Sequence, residues 1–425
     1  MRALKPLQFI FSSSRKSDKC LENHYLDFLV YLAGFEASGL KIYNLFESLG
    51  NRELHLGECY SVLASSYLVL ERSLGDPHIA LRKLAEFVKY SDLSSFLRGY
   101  SSVLVTSGDT RIYVESALKQ ELAKYKTKIN ETLRLLETLY EALLVAVFGV
   151  LFVAALPIGA YTQVVGGLLI YLIGFVGYFF SLEIVKRLYY AISTTTILLD
   201  ALFFVASLFS IINYYASIAS IAMLVIFHIH ASKAYRLARL LEEESTRILY
   251  ETYSRVLMGD SYSSAFIGSL ESTNLVEYRL VWFSLLQGAV PEGALKAAIK
   301  GLAERVFTFA LSTLNCSSIA NSHVAHIVSY VDEVRAIRKQ VRERARYFLI
   351  YSALVMLIAA ISYYMMYQTP VMPQLSKHVI ASYGYAGTIV ASIPAVVTRD
   401  QGFVTSKTSI VLAIMALILQ HMLLL

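Results

Sequence analysis

The stretch KYKTKINETLRLLETLYEALLVAVFGVLFVAAL, residues 124–156, starts as a charged amphipathic helix and ends as an uncharged apolar one, with no glycine or proline at the junction near Glu141. A backbone that keeps its i→i−4 hydrogen bonds across such a junction is a single stiff rod. The spacing therefore predicts a helix that is half in water and half in lipid. Working outward, residues 142–182 form a run of 41 without a charge, room for two spans of about 20 residues. Between Leu188 and Ser232 the only charge is Asp200, and uncharged runs also cover 348–376, 378–398 and 408–425. Seven candidate spans result, at 142–161, 163–182, 191–211, 214–231, 348–367, 379–397 and 408–425. With 56% hydrophobic and 16% charged residues, the chain reads as an all-α polytopic membrane protein.

Lysine and arginine orient it. Residues 1–141 hold 18 of the 38, residues 230–347 hold 15, and the connections at 183–190 and 398–407 hold two each. All of these fall on one side of a seven-span path, and only Lys377 falls on the other. Positive charge marks the cytoplasmic side. The expected organisation is a cytoplasmic bundle at 1–141, four spans at 142–231, a second bundle at 232–347 and three spans at 348–425, with the C-terminus outside. Only about five apolar residues cluster near the N-terminus, fewer than a signal-peptide core needs. Cys20, Cys59 and Cys316 are far apart in sequence, so neither a disulfide framework nor a zinc cluster is implied. Bases barely exceed acids in the polar segments, 18 to 17 and 15 to 12, which gives nucleic-acid binding no electrostatic basis.

The two polar segments share a plan. YLDFLVYLAGFEASGLKIYNLFESL (25–49) and ILYETYSRVLMGDSYSSAFIGSL (248–270) both read as helix, glycine turn, helix, with Gly39 and Gly259 as C-caps and Asp260 or Ser261 as the next N-cap. LGDPHIALRKLAEFV (74–88) and GAVPEGALKAAIKGLA (288–303) each place a proline at a helix start. Each segment closes in a long helix. The first has a stripe at Ile112, Leu118, Leu122, Tyr125, Ile129, Leu133, Leu136 and Tyr140. The second has one at Val324, Val328, Val331, Val334, Ile337, Val341 and Phe348.

Three features carry a family resemblance: LAGFEASGLKIYNLFESL (32–49), GYSSVLVTSGDTRIYVESAL (99–118), and the duplicated order of bundle then spans. Together they resemble the type II secretion F family, the membrane platform proteins of type IV pili, tight-adherence pili and the archaellum. The second copy departs from the first: Ser107-Gly108-Asp109-Thr110 corresponds to CSSIANSHVAH (316–326), without glycine or aspartate. Four spans between the copies look most similar to archaeal and tight-adherence platforms. The resemblance implies a homodimeric platform that docks a hexameric secretion ATPase and guides prepilin or pilin subunits from the lipid bilayer into a filament.

Enzyme chemistry leaves no signature. GxxxxGK[ST], HExxH and GxSxG are all absent, and Asp109 lacks the second membrane-border aspartate of a prepilin peptidase. No catalytic, cofactor or metal residues are assigned. His323 and His326 share a helical face at i, i+3, but with no third ligand in view they read as a packed or solvated pair. Asp200, an intramembrane acid, reads as a polar contact to hydroxyls of a neighbouring helix. Gly166, Gly167, Gly174 and Gly177 read as close-packing positions between spans. Gly108, Asp109 and Thr110 are candidates for partner contact, as is the basic run Arg335, Arg338, Lys339, Arg342, Arg344 and Arg346, which suits anionic headgroups or an acidic partner. A secondary transporter and a passive scaffold for a soluble protein are the rival readings. The transporter would need a polar midplane site that Asp200 alone does not supply.

Overall fold

The computed structural model describes residues 15–51, 54, 56–155, 160–211, 214–286, 301–315, 320–367 and 374–424. Cys316 and the stretches 287–300 (with Pro291) and 316–319, all used in the sequence reading, lie outside them. The described residues form fifteen α-helices and no strand: α1 Arg15–Ala37, α2 Ile42–Gly50, α3 Glu58–Leu74, α4 Pro77–Phe87, α5 Ser91–Thr106, α6 Thr110–Ala155, α7 Ala160–Arg187, α8 Thr194–Leu208, α9 Tyr214–Leu257, α10 Tyr262–Glu271, α11 Val276–Leu286, α12 Leu302–Asn315, α13 Ala320–Tyr367, α14 Gln374–Asp400 and α15 Lys407–Leu424. They divide into two compact units. Unit 1 takes residues 1–126, 241–299 and 303–333, so both polar segments contribute to it; unit 2 takes 127–240, 300–302 and 334–425.

Three helices pass through the division without a break. α6 (46 residues) and α13 (48 residues) were expected to be continuous, and both are. α9 was not. Span four was expected to end at residue 231, where charge returns, yet the helix runs 44 residues from Tyr214 to Leu257. Hydrogen bonding along a helix is indifferent to the polarity of the side chains outside it, so a charge boundary is no helix boundary. At ~1.5 Å per residue the rods are about 66–72 Å long.

In unit 1 the turns follow the sequence. Gly39 and Gly259 have φ of +82° and +104°, and the next residue's N–H donates five residues back in both cases, Leu40 to Phe35 and Asp260 to Arg255. That is a Schellman ending, which needs a residue tolerant of the left-handed region. Asp76 caps α4 by accepting from the N–H groups of His78 (2.7 Å) and Ile79 (3.3 Å), with Pro77 in the first turn. The core is aromatic. Phe28 stacks on Phe46 and Tyr60, and Tyr278 stacks on Phe307. α1 meets the second segment directly, with Tyr31 on Phe309 of α12 and on His323 of α13. Asp27 forms an ion pair with Arg305 across the same contact.

Cys20 and Cys59 form a disulfide, Cα–Cα 6.1 Å, which corrects the expectation of unpaired cysteines. The pair is 39 residues apart in sequence, but α1 packs on α3, so chain spacing said nothing about their distance.

Unit 2 is built around α14, buried at every position from residue 381 to 398 and packed along α15 and α7. Its interior is rich in hydroxyls. Ser181 donates to the carbonyls of Gly177 (2.8 Å) and Pro394 (3.3 Å), and Ser220 shares a hydrogen bond with Tyr385 (2.8 Å). The outside is apolar: Leu172, Phe175 and Phe179 on α7, Leu198 and Leu202 on α8, and Ile350 and Leu357 on α13 are all exposed. Exposed apolar residues in this number are unusual for a surface in water. Among the described residues two helices are long and apolar enough to cross a membrane, Leu168–Arg187 and Tyr215–Leu257. Thr194–Leu208 and Lys407–Met422 are apolar but shorter. Span three is shorter than expected because residues 190–193 are not helical and Phe209–Ile211 form a 3-10 turn.

Candidate functional site

The two stretches that carry the family resemblance, 32–49 and 99–118, meet in unit 1 around Glu36. Glu36 is 4% exposed, and its carboxylate accepts from the Thr110 hydroxyl (2.7 Å), the Lys41 ammonium (3.0 Å) and the Tyr100 hydroxyl. Lys41 also donates to Thr110 (2.7 Å) and to the carbonyl of Gly108 (3.4 Å), and the N–H of Ile42 donates to Tyr100 (3.1 Å). Burial first, then the hydrogen bond to Glu36, hold the Tyr100 hydroxyl well above the usual phenol value, so it remains a donor. Four elements are tied at one point: the end of α1, the start of α2, the middle of α5 and the first residue of α6. The Gly-Asp-Thr motif is thus the socket in which a long helix begins. Gly108, φ +72°, ends α5; Thr110 is buried; Asp109 is exposed and stands apart from the network. Sequence reading missed Glu36 and Lys41. The available signal was a lone acid and a lone base flanking the Ser-Gly-Leu turn.

The basic run on α13 splits by face. Arg335, Lys339, Arg342 and Arg346 are exposed, and Arg344 is half-buried and 3.9 Å from Glu137 of α6. Arg338 turns inward. Its Nε donates to the carbonyl of Leu188 (2.7 Å) and its Nη2 to that of Tyr189 (2.8 Å), while its guanidinium lies 4.0 Å above the Tyr190 ring. Tyr189 has φ +57°, and its carbonyl also accepts from the N–H of Leu302 (2.8 Å). A planar fork is the one side chain that can satisfy adjacent carbonyls while stacking on a ring. Arg338 therefore anchors the α7–α8 connection rather than joining a docking surface.

Asp200, buried midway along α8, accepts from the Tyr178 hydroxyl (3.0 Å) and from the backbone N–H groups of Phe403 (3.2 Å) and Val404 (2.8 Å). The acid holds the α14–α15 connection. Gly174 and Gly177 lie against Val390 and Pro394 of α14, at positions where a Cβ would overlap those side chains. Gly166 and Gly167 are in α7. His228 bonds the carbonyl of Val404 (2.9 Å), and His230, two residues on, is exposed.

His323 is buried against Tyr31, and a Cβ on Gly34 would overlap its ring. No group of three metal-binding side chains occurs among the described residues. Burial, with a smaller push from His326, lowers the His323 pKa to about 3. Its folded pKa is below the unfolded value of about 6.5, so the unfolded chain binds the proton and stability is lost as pH falls from 6.5 toward 3. Between pH 7 and pH 5 this residue alone is expected to remove about 2 kcal/mol. His323→Phe should flatten that part of the unfolding-versus-pH curve; an unchanged slope would show that the imidazole already titrates in the folded protein.

Over the described residues the chain is all-helical apart from turns, with one unit that has hydroxyls in its interior and many apolar residues exposed, and one aromatic-cored unit built from the polar segments. Comparison with protein-family models, curated proteins and solved structures finds no match.

Proposed function

We propose that this chain is a non-enzymatic membrane platform of a type IV pilus-like filament machine, in the manner of the type II secretion F family and of its archaeal branch. On this reading unit 2 lies in the cell membrane and the polar segments are cytoplasmic. A hexameric secretion ATPase docks on the polar side of a homodimer, and its motion moves pilin subunits from the bilayer into the filament. The observation that carries the proposal is the set of three unbroken helices, α6, α9 and α13, each of which joins a charged stretch of sequence to an uncharged apolar one. Rigid rods of this kind transmit displacement, which a scaffold has no need to do. Two of them are clamped together: Tyr140 of α6 stacks on Phe348 of α13, with 4.5 Å between ring centroids. Asp200, the one intramembrane acid a transporter would use, is occupied in holding a connection, which favours the platform over that rival.

The test is a hinge. Because Tyr140 is packed, a Gly-Gly-Ser insertion belongs at the exposed surface after Lys126. The variant is expected to insert in the membrane and bind its ATPase normally while filament assembly stops. Assembly at the parental rate would mean that force does not travel through α6, leaving a passive scaffold.

A further inference from the structure

One outward face of α13 changes character at a single step. Arg335, Lys339, Arg342 and Arg346 follow one another at helical spacing and are exposed; the same face continues as Ile350, Leu354, Leu357, Ile361 and Tyr364, also exposed. Among the acids of this stretch of α13, Glu343 lies at the edge of the stripe and Asp332 is held by the Tyr250 hydroxyl. The outward face of α9 makes the same change, with Ile226 and Ile229 followed by Lys233 and Arg236. On α7 the face is mixed, since Phe175 and Phe179 are followed by Glu183, which pairs with Arg187 (2.7 Å), and then by Lys186.

A ligand for these faces needs a negative head and an apolar body in line, with the junction at the level of Arg346 and Ile350. Because the pattern recurs on two helices of one unit, it fits a ligand present in many copies better than a single protein partner. We propose that α13 and α9 form a seat for anionic phospholipid, with the headgroup on Lys339, Arg342 and Arg346 and the acyl chains along Ile350–Tyr364. This rests on the membrane reading above and adds to it selectivity for lipid charge. Tyr235 of α9 lies within electrostatic reach of Arg239 on its own helix and of Arg342 on α13, with Asp400 in the same reach, so basic residues of the two helices share one neighbourhood. Basic pockets beside the cytoplasmic ends of spans are recurrent sites for such lipids, each cation contributing about fivefold.

The chain has a single tryptophan, Trp282, so Trp282→Phe with Tyr347→Trp gives a reporter next to Arg346, at a position now 66% exposed. The full chain would be reconstituted in phosphatidylcholine containing either brominated phosphatidylglycerol or brominated phosphatidylcholine, and quenching compared at equal mole fraction. Preferential quenching by the anionic lipid, about fivefold or more in relative association, is expected. Adding Lys339→Gln, Arg342→Gln and Arg346→Gln should bring the ratio to about one, and exchanging the same residues between lysine and arginine should leave it high. Equal quenching by both lipids would overturn the lipid seat alone and give the cations to an acidic protein segment. No quenching by either would overturn the membrane reading along with it.

Discussion

Glu36→Ala is expected to destabilise unit 1 by about 3–5 kcal/mol and to loosen the first turns of α6. Removing one member of a buried charged network costs about this much, because the partners stay buried without an acceptor. The partners here are an ammonium, a threonine hydroxyl and a tyrosine hydroxyl, the last two on fully buried residues. Glu36→Gln should be intermediate: its oxygen still accepts from one donor, but its amide nitrogen then faces Lys41 or Tyr100, which also donate. Thermal unfolding of the purified protein measures the loss, and hydrogen exchange at residues 108–114 reports the loosening. A Glu36→Ala protein that melts like the parent with unchanged exchange would mean that α6 is rooted by packing alone.

Asp200→Ala is the second large effect, about 3–4 kcal/mol. Three donors lose their acceptor at a residue 1% exposed, and two are backbone amides that no rotamer change can redirect. Each orphaned group costs about 1–3 kcal/mol, toward the lower end where helices are embedded in lipid. Asp200→Asn should fall close to alanine, because all three partners donate and one of the two acceptor oxygens becomes another donor. Tyr178→Phe, which removes a single donor together with the group that needed it, should cost under about 1.5 kcal/mol. If Asp200→Ala were as mild as Tyr178→Phe, the acid would have a role other than holding residues 403 and 404.

The rods were the most legible part of the sequence. Every position of the expected α13 stripe, from Val324 to Phe348, is buried, because a 3.6-residue period projects one face onto the core. On α6 the same rule works from Ile129 to Tyr140 but fails at Ile112, which is 68% exposed while Val114 is buried. The Glu36 network fixes the rotation of that end, and apolar spacing does not encode it. The Gly39 and Gly259 turns and the Pro77 start were readable because each rests on a local backbone preference. Arg338 was placed correctly on α13 but with the wrong partners, since its identity as a cation is shared with outward neighbours and only packing separates them. The disulfide, the Glu36 socket and the α14–α15 contact to Asp200 join residues distant in the chain, and no spacing rule reaches them.

The burial of α14 has a consequence for biogenesis. For a chain that spans a membrane, a segment with no face toward lipid, made largely of alanine, glycine, serine and threonine between residues 381 and 398, has little reason to leave the translocon alone. Its slot is lined by α7, whose Gly174 and Gly177 leave room for Val390 and Pro394, and by α9, whose Ser220 meets Tyr385. Both are synthesised well before it, and α15 follows to close the remaining side. The order of elements along the nascent chain is therefore also an order of assembly, in which the central helix enters a site already prepared for it.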